Sequence, residues 1–153
     1  MKKVRFAIVG CGRISYRHIE AIQENKEAEL VAICDLNLER AKERNAIANC
    51  KIYQDYNEML AKENIEVVCI MTPSGMHVEH AIDIIQKFNK HVVLEKPMAL
   101  SVVAAKELIK VSKKNGAYLF VVHQNRFNKA IQKIKSAIDS GLLGKITLAT
   151  IRI

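Results

Sequence analysis

No apolar run in this 153-residue sequence approaches the length needed to cross a bilayer, which excludes a transmembrane helix within it. No secretory leader is expected either. Met1-Lys2-Lys3 runs into a strand-like segment of about six residues, too short and wrongly flanked for the apolar core of a signal peptide. A cytoplasmic, non-membrane protein is therefore expected. Paired cysteine spacing is also absent. Cys11, Cys34, Cys50 and Cys69 show no motif, and three of them fall in or beside segments that read as buried strands. They are expected as reduced, small apolar side chains rather than as disulfide or zinc ligands. His77 and His80 could face one way but have no third ligand nearby, so no metal site is expected. There is no low-complexity linker and no solenoid repeat.

Charge is plentiful but unorganised. Lys and Arg number 24 against 16 Asp and Glu, a formal net charge of +8. Lys106, Lys110, Lys113 and Lys114 coat one expected helix, and Lys129, Lys133 and Lys135 sit mostly on another, with no aromatic stacking set between them. These read as solvated helix faces, and no nucleic-acid partner is expected. The positive field would still help attract an anionic cofactor or a sugar nucleotide.

What is present is one rhythm, strand then helix. Hydrophobic residues make up 50% of the chain, enough for one domain with a sizeable core. Apolar runs predict strands at Val4 to Val9, Leu30 to Cys34, Lys51 to Tyr53, Val67 to Ile70, His91 to Leu94 and Tyr118 to Val122. Helices are expected between them: a first carrying Ile14, His18, Ile19 and Ile22, then Asn37 to Ile47, Asp55 to Lys62, Met76 to Phe88, and Ser101 to Lys114. Right-handed crossovers on both faces of such strands give an α/β fold, a doubly wound parallel sheet in the order 3-2-1-4-5-6. A last helix from Lys129 to Ser140 closes at Gly141, and Lys145 to Ile153 alternates like a strand.

The motifs lie at strand ends. Val4 to Val9 breaks at Gly10-Cys11-Gly12-Arg13-Ile14-Ser15 and passes at once into a helix. Gly10 permits the tight turn and Gly12 lets a pyrophosphate approach the backbone at the helix N-terminus, the dinucleotide-binding (Rossmann-type) arrangement. Ser15 stands where a third glycine is usual and is small enough for close helix-strand packing. The second strand ends at Asp35, which can accept hydrogen bonds from both adenosine ribose hydroxyls or, alternatively, cap the next helix; Asn37 is available for the cap. A carboxylate there repels a 2′-phosphate, favouring NAD over NADP, although Arg13 and Arg40 keep NADP as a minor option. The fifth strand runs into Glu95-Lys96-Pro97. At the carboxyl end of a parallel strand, Lys96 reads as a proton-transferring group in the ligand crevice or as a plain surface lysine.

Taken with Thr72-Pro73-Ser74 and His77 after the fourth strand, these motifs resemble the N-terminal half of the glucose-fructose oxidoreductase and inositol dehydrogenase family, across nearly the whole chain. Gln124-Asn125-Arg126-Phe127-Asn128, a helix, and then Gly144-Lys145 are similar to NAD-dependent 3-dehydrogenases that oxidise UDP-linked N-acetylhexosaminuronic acids in bacterial surface-polysaccharide (lipopolysaccharide) synthesis. The resemblance implies hydride transfer between a sugar carbon and nicotinamide, with Lys96 beside the reacting hydroxyl. Gly10, Gly12, Arg13 and Ile14 would hold the pyrophosphate, and Thr72 and Pro73 would line the crevice by backbone contact. His77 either meets the same edge or packs at its helix start. Glu95 either positions cofactor or makes a structural hydrogen bond, and Pro97 sets the turn. His123, Asn125 and Arg126 would meet the cofactor or a substrate phosphate. His18 is expected to pack or cap within the first helix. Members of the family continue into a second α/β domain that forms the substrate pocket and subunit interface. Residues 1–123 are thus expected as the dinucleotide-binding domain, and 124–153 as a connecting helix and first strand of a truncated second domain. The implied full-length protein is a homo-oligomer acting on a sugar nucleotide, and this part alone is expected to bind NAD without turnover.

Overall fold

The computed structural model describes residues 2–150. In chain order the elements are β1 (Val4–Val9), α1 (Ser15–Glu24), β2 (Ala28–Cys34), α2 (Leu38–Ala48), β3 (Lys51–Tyr53), α3 (Tyr56–Lys62), β4 (Val67–Ile70), α4 (His77–Phe88), β5 (His91–Leu94), α5 (Val102–Lys114), β6 (Leu119–Val121) and α6 (Lys129–Asp139). Short 3-10 turns at Ser74–Met76 and Gln124–Phe127 precede α4 and α6.

The six strands form one parallel sheet in the order β3-β2-β1-β4-β5-β6, the order expected from the alternation of strand and helix. Central strands are apolar on both faces because helices cover both. Along β1, Ala7 and Val9 join a cluster with Val68, Ile70, Ala81, Ile84, Ile85 and Leu108, the side covered by α4 and α5. Ile8, between them, faces the other way into a cluster with Ile19, Ile22, Ile33, Ala41 and Cys69, the side covered by α1 and α2. Each fully buried Ile or Leu contributes roughly 1.5–3 kcal/mol.

Local chemistry explains the boundaries. Asn37 caps α2, its side chain accepting from the backbone N–H groups of Glu39 and Arg40. Asp55, Ser101 and Asn128 cap α3, α5 and α6 in the same way. Asn49 and Asn89 end α2 and α4 in the left-handed conformation that asparagine tolerates. By contrast α1 has no side-chain cap; Ile14, expected inside that helix, is its N-terminal flanking residue and is half-exposed.

The chain divides between Val122 and His123 into two compact units. In the second, α6 carries Ile131, Ile134 and Ile138 along one face. The expected strand from Lys145 is not formed: residues 145–150 have no regular structure, and the rest of that segment, 151–153, lies outside the described residues. A strand is held by a ladder partner, and this unit offers none among the described residues.

Candidate functional site

The carboxyl ends of β1, β2 and β4 open onto a cavity of about 470 Å3, lined by Gly10, Gly12, Asp35, Arg40, Thr72 and Pro73, together with Leu36, Gln54, Tyr56, Met76 and His80. Its position at the point where strand order reverses is the ligand crevice of an open α/β sheet.

The two glycines of the first turn serve different ends. Gly10 has φ 97°, and a Cβ there would lie 2.7 Å from the carbonyl carbon of Met71 and 2.8 Å from the amide nitrogen of Thr72. Only glycine lets the β1 turn lie against the end of β4. Around Gly12 a Cβ would meet nothing within 4 Å among the described residues, so its bareness answers no packing demand there and leaves the backbone open toward the cavity. Ser15 is fully buried and donates from its hydroxyl to the carbonyl of Gly12 at 2.7 Å, pinning the turn to the start of α1.

Asp35 does not cap α2; Asn37 does. One Asp35 oxygen accepts from the backbone N–H of Cys11 at 2.8 Å and the other from that of Asn37 at 2.8 Å, while Arg40 Nη1 stands 3.5 Å away. A carboxylate has about four lone-pair directions, so capacity remains for a ligand hydroxyl. Bare glycine backbone, an uncapped helix start and a fixed carboxylate at the next strand end suit a dinucleotide's pyrophosphate and ribose.

The cavity wall beyond Asp35 comes from segments without a motif. Tyr56 donates to Asp83 at 2.9 Å, its ring meets His80 edge-on at 5.4 Å between centroids, and His80 Nδ1 lies 3.1 Å from the Thr72 hydroxyl. Burial lowers the His80 pKa and, with the hydrogen bond to Asp83, pushes the Tyr56 hydroxyl up to about 12. Both therefore meet a ligand as neutral groups near neutral pH. Burial, reinforced by the charge of Asp35, pushes the Cys11 thiol up to about 12, and Cys34 and Cys69 likewise reach about 12, so none is an activated nucleophile. Among the described residues no group of three or more His, Cys, Asp or Glu side chains is placed to hold a metal.

At the end of β5, Lys96 is exposed and Glu95 buried, and the Lys96–Pro97 peptide bond is cis. Glu95 accepts the backbone N–H of Lys96 on one oxygen and lies 2.9 Å from His18 Nε2 through the other. His18 thus does not pack or cap within its own helix but reaches across to β5. The signal was the helical spacing: His18 shares the buried face of α1 with Ser15, Ile19 and Ile22, and a polar ring there needs a polar partner. His77 does not line the cavity. Its buried ring lies behind, Nδ1 2.8 Å from the Pro97 carbonyl and Nε2 2.8 Å from the Thr72 carbonyl. Arg13 is exposed and, like Ile14, outside the cavity lining. His123, Asn125 and Arg126 stand at the start of the second unit, where Arg126 borders a groove with Lys135 and Asp139.

A model of the oxidoreductase family with an NAD-binding Rossmann fold matches residues 4–123. The chain belongs to that family of NAD-binding oxidoreductases. It is similar to the myo-inositol 2-dehydrogenase of Thermotoga maritima, 31% identical over 143 residues that cover 93% of this chain and 42% of the relative. Similarity to the D-glucoside 3-dehydrogenase of Escherichia coli is 29% over 151 residues, 97% of this chain and 43% of that protein. Among solved structures, the WlbA dehydrogenase from Bordetella pertussis in complex with NADH and UDP-GlcNAcA is 43% identical with a TM-score of 0.88, over 95% of this chain and 44% of that one. Its counterpart from Chromobacterium violaceum, with the same two ligands, is 35% identical with a TM-score of 0.89, over 95% and 42%. The chain spans less than half the length of these relatives. Within that span it is an NAD-binding Rossmann domain.

Proposed function

We propose that this domain is the cofactor half of an NAD-dependent dehydrogenase that oxidises a secondary hydroxyl of a UDP-linked amino-sugar acid, in the making of a bacterial surface polysaccharide. Residues 1–123 form the dinucleotide-binding part, and 124–153 lead toward a substrate domain and its oligomer interface. The observation that carries the reading is 43% identity, over 95% of this chain, to a dehydrogenase bound to NADH and UDP-GlcNAcA.

Bound NAD supplies the hydride acceptor. The chain's own residues do the rest. Gly12 leaves room for the pyrophosphate at the start of α1, and Asp35 takes the adenosine ribose hydroxyls and disfavours a 2′-phosphate. Thr72 and Pro73 border the nucleotide through their backbone. Arg13 and Ile14 make outer contacts. Loss of a hydride from an alcohol carbon leaves a hydroxyl proton to be removed, and Lys96 takes that proton and passes it to solvent. The protein works in the cytoplasm, where NAD and nucleotide sugars are available.

Calorimetric titration of the 153-residue chain with NAD and with NADP tests the cofactor reading, and failure of a folded chain to bind either would end it. In the complete polypeptide, Lys96→Met should lower turnover of UDP-GlcNAcA about 100- to 10,000-fold while NAD affinity is kept. NAD binding without turnover of any sugar nucleotide by the complete wild-type polypeptide would point instead to a non-catalytic NAD-binding protein.

A further inference from the structure

Lys96 is an exposed side chain on a flexible stem, yet the residues on either side of it are tied down from opposite faces of the sheet. From the α1 side, His18 Nε2 lies 2.9 Å from Glu95, whose other oxygen accepts the Lys96 backbone N–H at 3.1 Å. From the α4 side, the Pro97 carbonyl lies 2.8 Å from Nδ1 of His77, a ring 1% exposed. The second nitrogen of that ring, 2.8 Å from the Thr72 carbonyl, links the tripeptide to the turn after β4. A ring N–H donates to one of these carbonyls or, with both nitrogens protonated, to both.

These contacts close into a ring around the strand ends. Gly10 abuts Met71 and Thr72, and Thr72 is joined through His77 to Pro97. Glu95 is joined through His18 to α1, and α1 returns to the glycine turn through Ser15. The turn that takes the pyrophosphate and the tripeptide that carries Lys96 are thus parts of one body connected by hydrogen bonds and close backbone packing, although they are distant in sequence.

We propose that His18 and His77 are positioning residues that set where Lys96 stands relative to the bound dinucleotide, His18 through the carboxylate of Glu95 and His77 through the carbonyl of Pro97. This rests on the reading of Lys96 as the group beside the reacting hydroxyl. A misplacement of about 1 Å at such a group is enough to cost about 100-fold in rate, so a backbone held at two points has a direct kinetic value.

Amide hydrogen exchange of the 153-residue chain without nucleotide tests the tie. In His18→Leu the Lys96 amide should exchange at least about tenfold faster, with the core amides of Ile8 and Val68 unchanged. His18→Gln keeps a side-chain donor and should return the Lys96 amide to within about threefold of wild type. If His18→Leu does not fold, His18→Asn, polar but too short to reach Glu95, carries the same expectation. Unchanged Lys96 exchange in the folded Leu or Asn variant overturns the proposal. In the complete polypeptide, His18→Leu should lower kcat about tenfold with the KM for NAD within about twofold, and His18→Gln should recover kcat. Equal loss in both variants would mark His18 as merely structural and also overturn it. A wild-type chain that fails to bind NAD would end the cofactor reading, whereas the exchange experiment still decides whether the tie holds Lys96.

Discussion

Replacing Asp35 by alanine removes the group that joins the end of β2 to the glycine turn and that we assign to the nucleotide's ribose. In the free domain its carboxylate accepts from the N–H groups of Cys11 and Asn37, each at 2.8 Å, with a side chain only 8% exposed. The Cys11 N–H, in a buried residue, is then left without its acceptor, at a cost of about 1–3 kcal/mol. For a domain of this size that lowers the thermal midpoint by on the order of 5 °C. The two ribose hydrogen bonds proposed for this carboxylate would be lost as well, each about 1.5 kcal/mol or more, so NAD should bind at least about 100-fold more weakly. NADP should move the other way. Arg40, 3.5 Å from the Asp35 carboxylate, loses its counter-charge and becomes free to meet a 2′-phosphate. Calorimetry with both nucleotides on wild type and Asp35→Ala reads the change in ratio, and thermal unfolding reads the stability. NAD affinity within about twofold of wild type in a folded variant would refute the assignment of Asp35 to the ribose, because the lost bonds must appear somewhere in the binding free energy.

Gly10→Ala and Gly12→Ala should separate fold from ligand. The first meets backbone at 2.7 Å in a positive-φ position and should lower the unfolding midpoint sharply, whereas the second meets nothing and should spare the midpoint while weakening NAD in calorimetry. His80 has its pKa lowered in the folded state by burial, so the unfolded chain binds more protons. Its contribution is therefore present above the unfolded pKa of about 6.5 and lost as pH falls below it; the drop in midpoint from about pH 7.5 to about pH 5.5 should shrink in His80→Gln. Cys11, Cys34 and Cys69 are buried, with thiols pushed up to about 12, so Ellman's reagent should find at most Cys50 reactive in the native protein and all four after denaturation.

The sheet order was legible because each central strand is a short apolar run that ends at a turn residue, and right-handed crossovers then leave few arrangements. Caps were legible for a local reason: Asn37 caps the helix that begins at the next residue. The strand expected from Lys145 shows the limit of the same signal, since alternation states which faces a strand would have but supplies no neighbour to bond with. The cavity wall of Gln54, Tyr56 and His80 was illegible as a site because it comes from separate segments that meet only when β3 and β4 take their places in the sheet.

His18 and His77 make the distinction sharper. Hydropathy periodicity places both rings on faces that become buried, yet it cannot name a partner 77 residues away for His18 or 20 residues away for His77. A buried polar ring must nevertheless have a partner, so the demand was in the sequence although its answer was not. The two glycines divide in the same way. Gly10 is required by atoms of this chain, and packing against Met71 and Thr72 accounts for it completely. Gly12 is required by no atom of the described residues around it, so packing within them gives no cause for its missing side chain. A residue that the fold leaves unexplained, beside one that the fold explains fully, directs attention to something outside the chain. The surrounding turn, the uncapped α1 and the Asp35 carboxylate suit a dinucleotide in that place.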